Sequence, residues 1–344
     1  MAQLYDLHCH LGFAPDAAAT ALEAQRLGLV ALCCTVEPSD YEPLRRLLEP
    51  TPDLRPALGL HPWQVADAAL AAGTAPDAGG APNALGGTLP VAPSAAPPAD
   101  RIASASPDGL DTMSPGAPSA HPGHTATLGA PHDTLPVDLE RQLELFEALA
   151  PNAPLIGEVG LDFAGPRAAA REAQVAAMRR ILAAAPPRPG RLYSLHAVRS
   201  ADVLLDLLEE AGVLPAPGAG HAGRTPGATA PPPRGTTPAG HAVVLHWFSG
   251  TSQELARARD LGCFFSVGPR MLATRRGRAY AHDLPLDRLV LETDAPSRPG
   301  EPLSAAGWLA QLTEALTALA AARGTEPAAL APALAATSKR LLAR

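Results

Sequence analysis

Short apolar, β-prone runs recur along this chain, with amphipathic stretches between them. The runs lie near Gln3–His8, Leu29–Thr35, Arg55–Leu60, Pro154–Gly160, Arg191–His196, Ala242–His246, Cys263–Val267 and Arg288–Glu292. Runs of this length and composition predict buried strands. The intervening patterns predict helices at Ala18–Leu27, Asp138–Leu149, Arg167–Ala184, Ala201–Ala211 and Gln253–Leu261, and a closing helical region over Ser304–Arg323 and Pro327–Leu342. Strands that alternate with helices argue for a parallel sheet. Eight repeats favour closure into a (β/α)₈ TIM barrel, in which chemistry sits at the C-terminal strand ends.

Two stretches break the pattern. Residues 73–135 and 215–240 are rich in Ala, Pro, Gly, Ser and Thr and have almost no periodic apolar positions. Such segments bury too little apolar surface to offset the entropy of ordering, so both are expected to be disordered insertions. Without them about 255 residues remain, close to the ~250 of one barrel. We therefore expect a single hydrolase domain over residues 1–344, with two low-complexity insertions. The first lengthens the loop after the third strand and could overhang the active face. The second follows the helix after the fifth strand and is expected on the opposite face.

Composition narrows the function. The net charge of −7 excludes a broad basic face, so a nucleic-acid substrate would be gripped locally, by metals and a few arginines. The cysteines Cys9, Cys33, Cys34 and Cys263 show no CxxC spacing and read as reduced core residues of a cytoplasmic protein. No long apolar signal segment or membrane-length run occurs, so a soluble protein without membrane contact is expected. Nothing in the sequence identifies a protein partner.

Ligand-type residues gather at the predicted strand ends. His8 and His10 are one residue apart after the first run, an arrangement that places both imidazoles on one face of a strand. His61, Glu158 with Asp162, His196, His246 and Asp294 follow at the ends of later runs. Imidazoles offer neutral nitrogen ligands and carboxylates offset the charge of a divalent ion. A carboxylate between two ions can hold them ~3.5–4 Å apart, an arrangement that binds phosphoryl groups and acidifies a water. The set points to a hydrolytic metal centre.

The motifs HxH, GLHP, GEVGLDF, LHxxR, LHWFSG and ETDAP, in this order, resemble the TatD family of metal-dependent deoxyribonucleases, within the amidohydrolase-like barrels. The likeness runs from Tyr5 to the C-terminal helix, apart from the two insertions. It implies two divalent ions (Mg, Mn or Zn). His8, His10, Glu158 and Asp294 would hold one, Glu158, His196 and His246 the other, with Glu158 bridging. Asp294 would also act as general base, so Glu158 and Asp294 are the expected catalytic pair. His61 and Arg199 are expected to contact substrate phosphate. The segment Leu261–Pro269 resembles a TatD-like branch found in anti-phage defence loci. The implied activity is a 3′–5′ exonuclease on single-stranded DNA, with DNA as a transient partner. Two other readings stand beside it: amide or ester hydrolysis by the same centre, as in a D-aminoacyl-tRNA deacylase, and a binding component of a defence complex docked through the insertions.

Overall fold

A computed structural model describes residues 3–73, 137–215 and 240–342. Apart from their boundary residues, the expected insertions lie outside the described residues. Eight parallel strands form one sheet in sequential order: β1 (Tyr5–Cys9), β2 (Val30–Cys34), β3 (Leu54–Leu60), β4 (Leu155–Asp162), β5 (Leu192–Val198), β6 (Ala242–His246), β7 (Phe264–Val267) and β8 (Leu289–Leu291). Helices α1 (Ala17–Arg26), α2 (Tyr41–Leu47), α3 (Pro62–Gly73), α4 (Val137–Leu149), α5 (Arg171–Ala184), α6 (Ala201–Glu210), α7 (Ser252–Asp260), α8 (Pro269–Ala273), α9 (Arg275–Asp283), α10 (Ala305–Ala322) and α11 (Pro327–Leu342) surround it. This is the (β/α)₈ barrel. Among the described residues, no helix is long and apolar enough to cross a membrane.

The strand alternation sorts side chains into two cores. Leu7, Leu32, Cys34, Ala57, Leu192, Val244, Phe264 and Val290 fill the barrel interior, closed at its N-terminal mouth by Leu341 and Leu342 of α11. The opposite faces of the strands pack under the helices through residues such as Leu58, Ile156, Tyr193, Leu195 and Phe265. On the interior face the apolar series gives way to polar residues toward the C-terminal strand ends. Ala242, Val244 and His246 run in step, as do Leu192, Ser194 and His196. That switch within single strands is what positions the site.

Strand β1 departs from simple alternation. Its register against β2 shifts between Asp6 and Cys9. Tyr5 and Leu7 pack inside, yet His8 also turns inward, onto Ser194 of β5. Asp6 instead points out to α10 and closes the seam between β8 and β1. Its carboxylate accepts the His8 N–H at 3.1 Å, the Thr293 N–H at 3.1 Å, the Thr293 hydroxyl at 2.6 Å and the Trp308 indole N–H at 2.6 Å. Main-chain bonds from Asp294 N to His8 O and from His10 N to Ala295 O complete the seam.

Burial pushes the Asp6 carboxyl from its ordinary 3.8 up to about 7, against the pull of these donors. The folded chain thus keeps a proton that the unfolded chain releases near pH 3.8. The contribution of Asp6 to stability is full below that value and is lost as pH rises through 7. The protonated acid can turn its single O–H to the Thr293 hydroxyl, 2.6 Å away, and still accept from the other donors, whereas Asp6→Asn places two N–H donors among them. We expect it to cost about 3 kcal/mol at pH 5, a fall in Tm of about 6–12 °C, with the gap narrowing toward pH 8. Thermal melts at the two pH values check this, and a variant that melts with the wild type at pH 5 contradicts the role of the seam.

Candidate metal centre

The six residues expected to hold metal, with His61, meet at the C-terminal mouth of the barrel. Glycines allow the strands to bring them there. A Cβ at Gly59 would lie 1.9 Å from the Thr35 carbonyl oxygen and 2.6 Å from the Glu158 nitrogen, and one at Gly160 would lie 2.0 Å from the His196 carbonyl oxygen. Asp294 follows β8 in the left-handed region, at φ 57°, a costly conformation for a residue with a Cβ. It turns the carboxylate back toward β1.

Glu158 is the hub. Its Oε2 lies 3.4 Å from His8 Nε2 and 3.2 Å from His10 Nε2. Asp294 Oδ1 joins that side, 3.4 Å from His10 Nε2 and 3.9 Å from His8 Nε2. The other oxygen, Oε1, lies 2.7 Å from His196 Nδ1, 3.1 Å from His246 Nε2 and 3.2 Å from His61 Nε2. One carboxylate thus divides its two oxygens between two groups of ligands. Burial would raise the pKa of Glu158, but His61, His246, His8 and His10 around it hold it well below the usual range. Asp294 is likewise held down by His10, His246 and His8 against the effect of burial. The centre therefore carries two anions, one buried at Glu158 and one partly buried at Asp294.

The outer hydrogen bonds decide what the imidazoles present to them. His10 Nδ1 faces the Cys34 carbonyl oxygen at 3.3 Å, so it donates there, and the neutral ring turns a bare Nε2 toward Glu158. His246 Nδ1 faces Glu292 Oε2 at 3.3 Å, with the same consequence for its inner nitrogen. His196 is arranged otherwise: its Nδ1 donates to Glu158 Oε1 at 2.7 Å, while its Nε2, 3.5 Å from Asp162 Oδ2, forms no hydrogen bond. His8 Nε2 is buried with no hydrogen-bond partner, while its Nδ1 bonds Ser194 Oγ at 2.7 Å. The carboxylates hold protons on these rings against burial, pushing His10 up to about 10 through Asp294 and Glu158 and raising His246 through Glu292 and Glu158; without those protons, lone pairs on imidazoles would confront lone pairs on carboxylates. Only protons or a cation placed between them relieve that opposition, and a divalent ion suits both donor types. The residues fit such ions.

His61 differs. Its Nδ1 accepts the Trp63 main-chain N–H at 3.1 Å, so in the neutral ring Nε2 carries the proton. Burial lowers its pKa to about 4, although Glu158 opposes that shift. Proximity alone groups His61 with Glu158 and His196 as a possible metal triad. Its tautomer makes it a hydrogen-bond donor, the character expected of a phosphate contact.

Glu292 and Asp162 hold the inner residues in place. Glu292 accepts from Ser266 Oγ at 2.5 Å and from Trp247 N at 3.1 Å while it orients His246. Asp162 accepts from Trp63 Nε1 at 2.5 Å and Ala164 N at 2.8 Å beside His196. His196 and Trp63 and the Ala164 N–H keep its carboxyl down at about 2, against burial. We expect Glu292→Gln to weaken metal binding about 10- to 100-fold, since carboxylates behind ligating histidines carry effects of that size. Calorimetric titration of the variant with Mn²⁺ checks it.

The family model for TatD related DNase proteins matches residues 5–343. The chain belongs to the TatD family. Among curated proteins, the 3′-5′ ssDNA/RNA exonuclease TatD of Edwardsiella piscicida is 31% identical over 182 residues, which cover 50% of this chain and 57% of that protein. The putative deoxyribonuclease TATDN3 of Mus musculus is 25% identical over 187 residues, covering 54% of each. The 3′-5′ ssDNA/RNA exonuclease TatD of Citrobacter rodentium is 34% identical over 107 residues, covering 29% of this chain and 41% of that one. The chain thus spans about half, or less, of the length of these relatives. Two solved structures share the fold along nearly all of it. The TatD homolog YJJV from Escherichia coli K12 has a TM-score of 0.56 at 20% identity, covering 99% of this chain and 98% of that one. An uncharacterized amidohydrolase from Saccharomyces cerevisiae has a TM-score of 0.60 at 15% identity, covering 99% and 100%.

In this TatD chain the centre floors a pocket of about 740 Å³. The walls come from loops after the strands. Trp247, beside His246 in the LHWFSG motif, is among them, and they hold residues that strand patterning misses: Phe13, Trp63, Arg167, Arg270 and Arg298. Arg199, expected at the phosphate, follows β5 at φ 55°. It is exposed and is not among the residues lining this pocket. The positive charge at the TatD pocket wall comes instead from Arg167, Arg270 and Arg298, and Arg270 Nη1 lies 3.8 Å from Asp294 Oδ2. Only the position of each arginine in its loop, not any residue pattern, determines which of them reach the site.

Proposed function

We propose that this chain is a divalent-metal-dependent phosphodiesterase that removes nucleotides from the 3′ end of single-stranded DNA. The observation that carries the reading is the division of the Glu158 oxygens between two ligand groups. On this reading His8, His10, Glu158 and Asp294 hold one ion, and Glu158, His196 and His246 hold the other. Mg, Mn or Zn bound there supplies the charge that a phosphodiester anion requires and lowers the pKa of a water.

The remaining work falls to side chains. Asp294 is the more open of the two central carboxylates, with 18% of its side chain exposed against 3% for Glu158. It is the general base that takes the proton of the attacking water. His61 donates its Nε2–H to a non-bridging phosphate oxygen. Arg167, Arg270 and Arg298 neutralise phosphates along the strand, the part first expected of Arg199. The 3′–5′ direction and the single-stranded preference rest on the names of the bacterial relatives. Those names favour nuclease action over deacylation of aminoacyl-tRNA by the same centre.

A 3′-labelled single strand should be shortened from its labelled end with Mg²⁺, Mn²⁺ or Zn²⁺ and left intact in chelator. Charged tRNA assayed in parallel should keep its aminoacyl group. Intact strands with every ion restored would overturn the nuclease reading, and loss of the aminoacyl group would favour the deacylase.

A further inference from the structure

Two tryptophans line the pocket wall. Trp63 starts α3 and is 44% exposed. Trp247 directly follows β6 at φ 38°, a conformation that a bulky side chain rarely takes and that tends to persist where function requires it. The neighbouring Phe248 is buried in the core, so the chain already has an inward aromatic at that turn.

Each of these indoles lies beside an arginine from the next loop. Arg167, after β4, places its guanidinium carbon 4.2 Å from the centre of the Trp63 ring. Arg270, after β7, lies 6.0 Å from that of Trp247. All four residues line the pocket over Glu158. Each pair is tied to the metal centre. The Trp63 indole N–H bonds Asp162, which faces His196, and the main-chain N–H of Trp247 bonds Glu292, which faces His246. The pairs occupy two sectors of the rim, one at β3 and β4 and the other at β6 and β7, with β5 between them.

An indole with a guanidinium over one face suits one repeating chemistry, a planar base stacked on the other face followed by a phosphate. Stacking on an indole accepts any base and needs its face unpaired. With a net charge of −7, this chain lacks the broad basic field that draws duplex DNA. We infer that the Trp63–Arg167 and Trp247–Arg270 pairs are two base-and-phosphate subsites. They hold an unpaired strand across the centre, with one base stacked on each indole. The inference rests on the nuclease reading and names the substrate class that this site takes. It assigns Trp63 and Trp247 as binding residues that select single strands over duplex.

The tryptophan content makes a direct test possible. The chain has three tryptophans, and the third, Trp308, is fully buried against Asp6. It serves as an internal reference for fluorescence. Full-length protein loaded with Mg²⁺ is titrated with a thymidine strand whose phosphorothioate linkages resist cleavage. A second titration uses an abasic strand with the same linkages and the same number of phosphates. Label anisotropy reports binding independently.

The thymidine strand should quench the emission of Trp63 and Trp247 and leave that of Trp308. Trp63→Phe and Trp247→Phe should each remove a distinct part of the quench. The abasic strand should quench little and bind at least about tenfold more weakly, the scale of stacking on an aromatic side chain. Equal quenching and equal binding by the two strands would overturn the subsites. So would binding of the thymidine strand with no quench. Cleavage of ordinary DNA together with either of those results overturns the subsites alone. A strand that is neither bound nor cleaved overturns the nuclease reading and the subsites together.

Discussion

Glu158→Gln is expected to reduce phosphodiester hydrolysis by about 10³-fold or more and to empty the centre of tightly held metal. Among the described residues, no other carboxylate pairs with imidazoles of both ligand groups. His8 and His10 meet one of its oxygens, and His196 and His246 meet the other. Glutamine keeps the shape but removes the charge and half of the acceptor capacity. Four inward imidazoles then have no shared anion to balance a cation. Removal of a single preorganised electrostatic contact costs about 10²–10³ in rate, and Glu158 contributes to two. Metal analysis after gel filtration, alongside turnover, checks both effects. A glutamine variant that retains metal and turnover would show that the ions, if bound, sit elsewhere.

Asp294→Asn removes the proposed base, and one charged ligand of the first group, while leaving the second ligand group whole. Asp294 contacts only the His8 and His10 side of the centre, so His196, His246 and Glu158 stay intact. The amide cannot accept the proton of the attacking water. A loss of general-base action corresponds to a fall in kcat of about 10²–10⁴, with Tm and strand binding close to wild type. The position at φ 57° suits asparagine as well as aspartate, so the backbone gives no reason for misfolding. Single-turnover kinetics with saturating Mn²⁺ checks this. Normal turnover by the variant would remove Asp294 as the base.

How far these features are legible in the sequence depends on whether they follow a local period. The eight strands are, because each carries a short apolar run that ends in a polar residue facing the mouth. His196 and His246 are read from that switch alone. The pair His8 and His10 is read correctly as convergent, but Asp6, in step with them, turns outward because the β1 register shifts. Its partner Trp308 is 302 residues away, and no local pattern joins the two. Helices α2, α3 and α8 have no counterpart among the expected elements. They are short or, in α3, rich in alanine beside the first insertion. The arginines were the least legible. Arg199 sits in a recognisable motif and misses the pocket wall, whereas Arg167, Arg270 and Arg298 reach it from loops whose side-chain directions follow no repeat.

Anomalous diffraction from crystals of the full-length chain loaded with Mn²⁺ measures the central point most directly. Two peaks are expected about 3.5–4 Å apart, one beside each oxygen of Glu158, the first against His8, His10 and Asp294 and the second against His196 and His246. A single peak, or none within reach of Glu158, would contradict the two-ion centre.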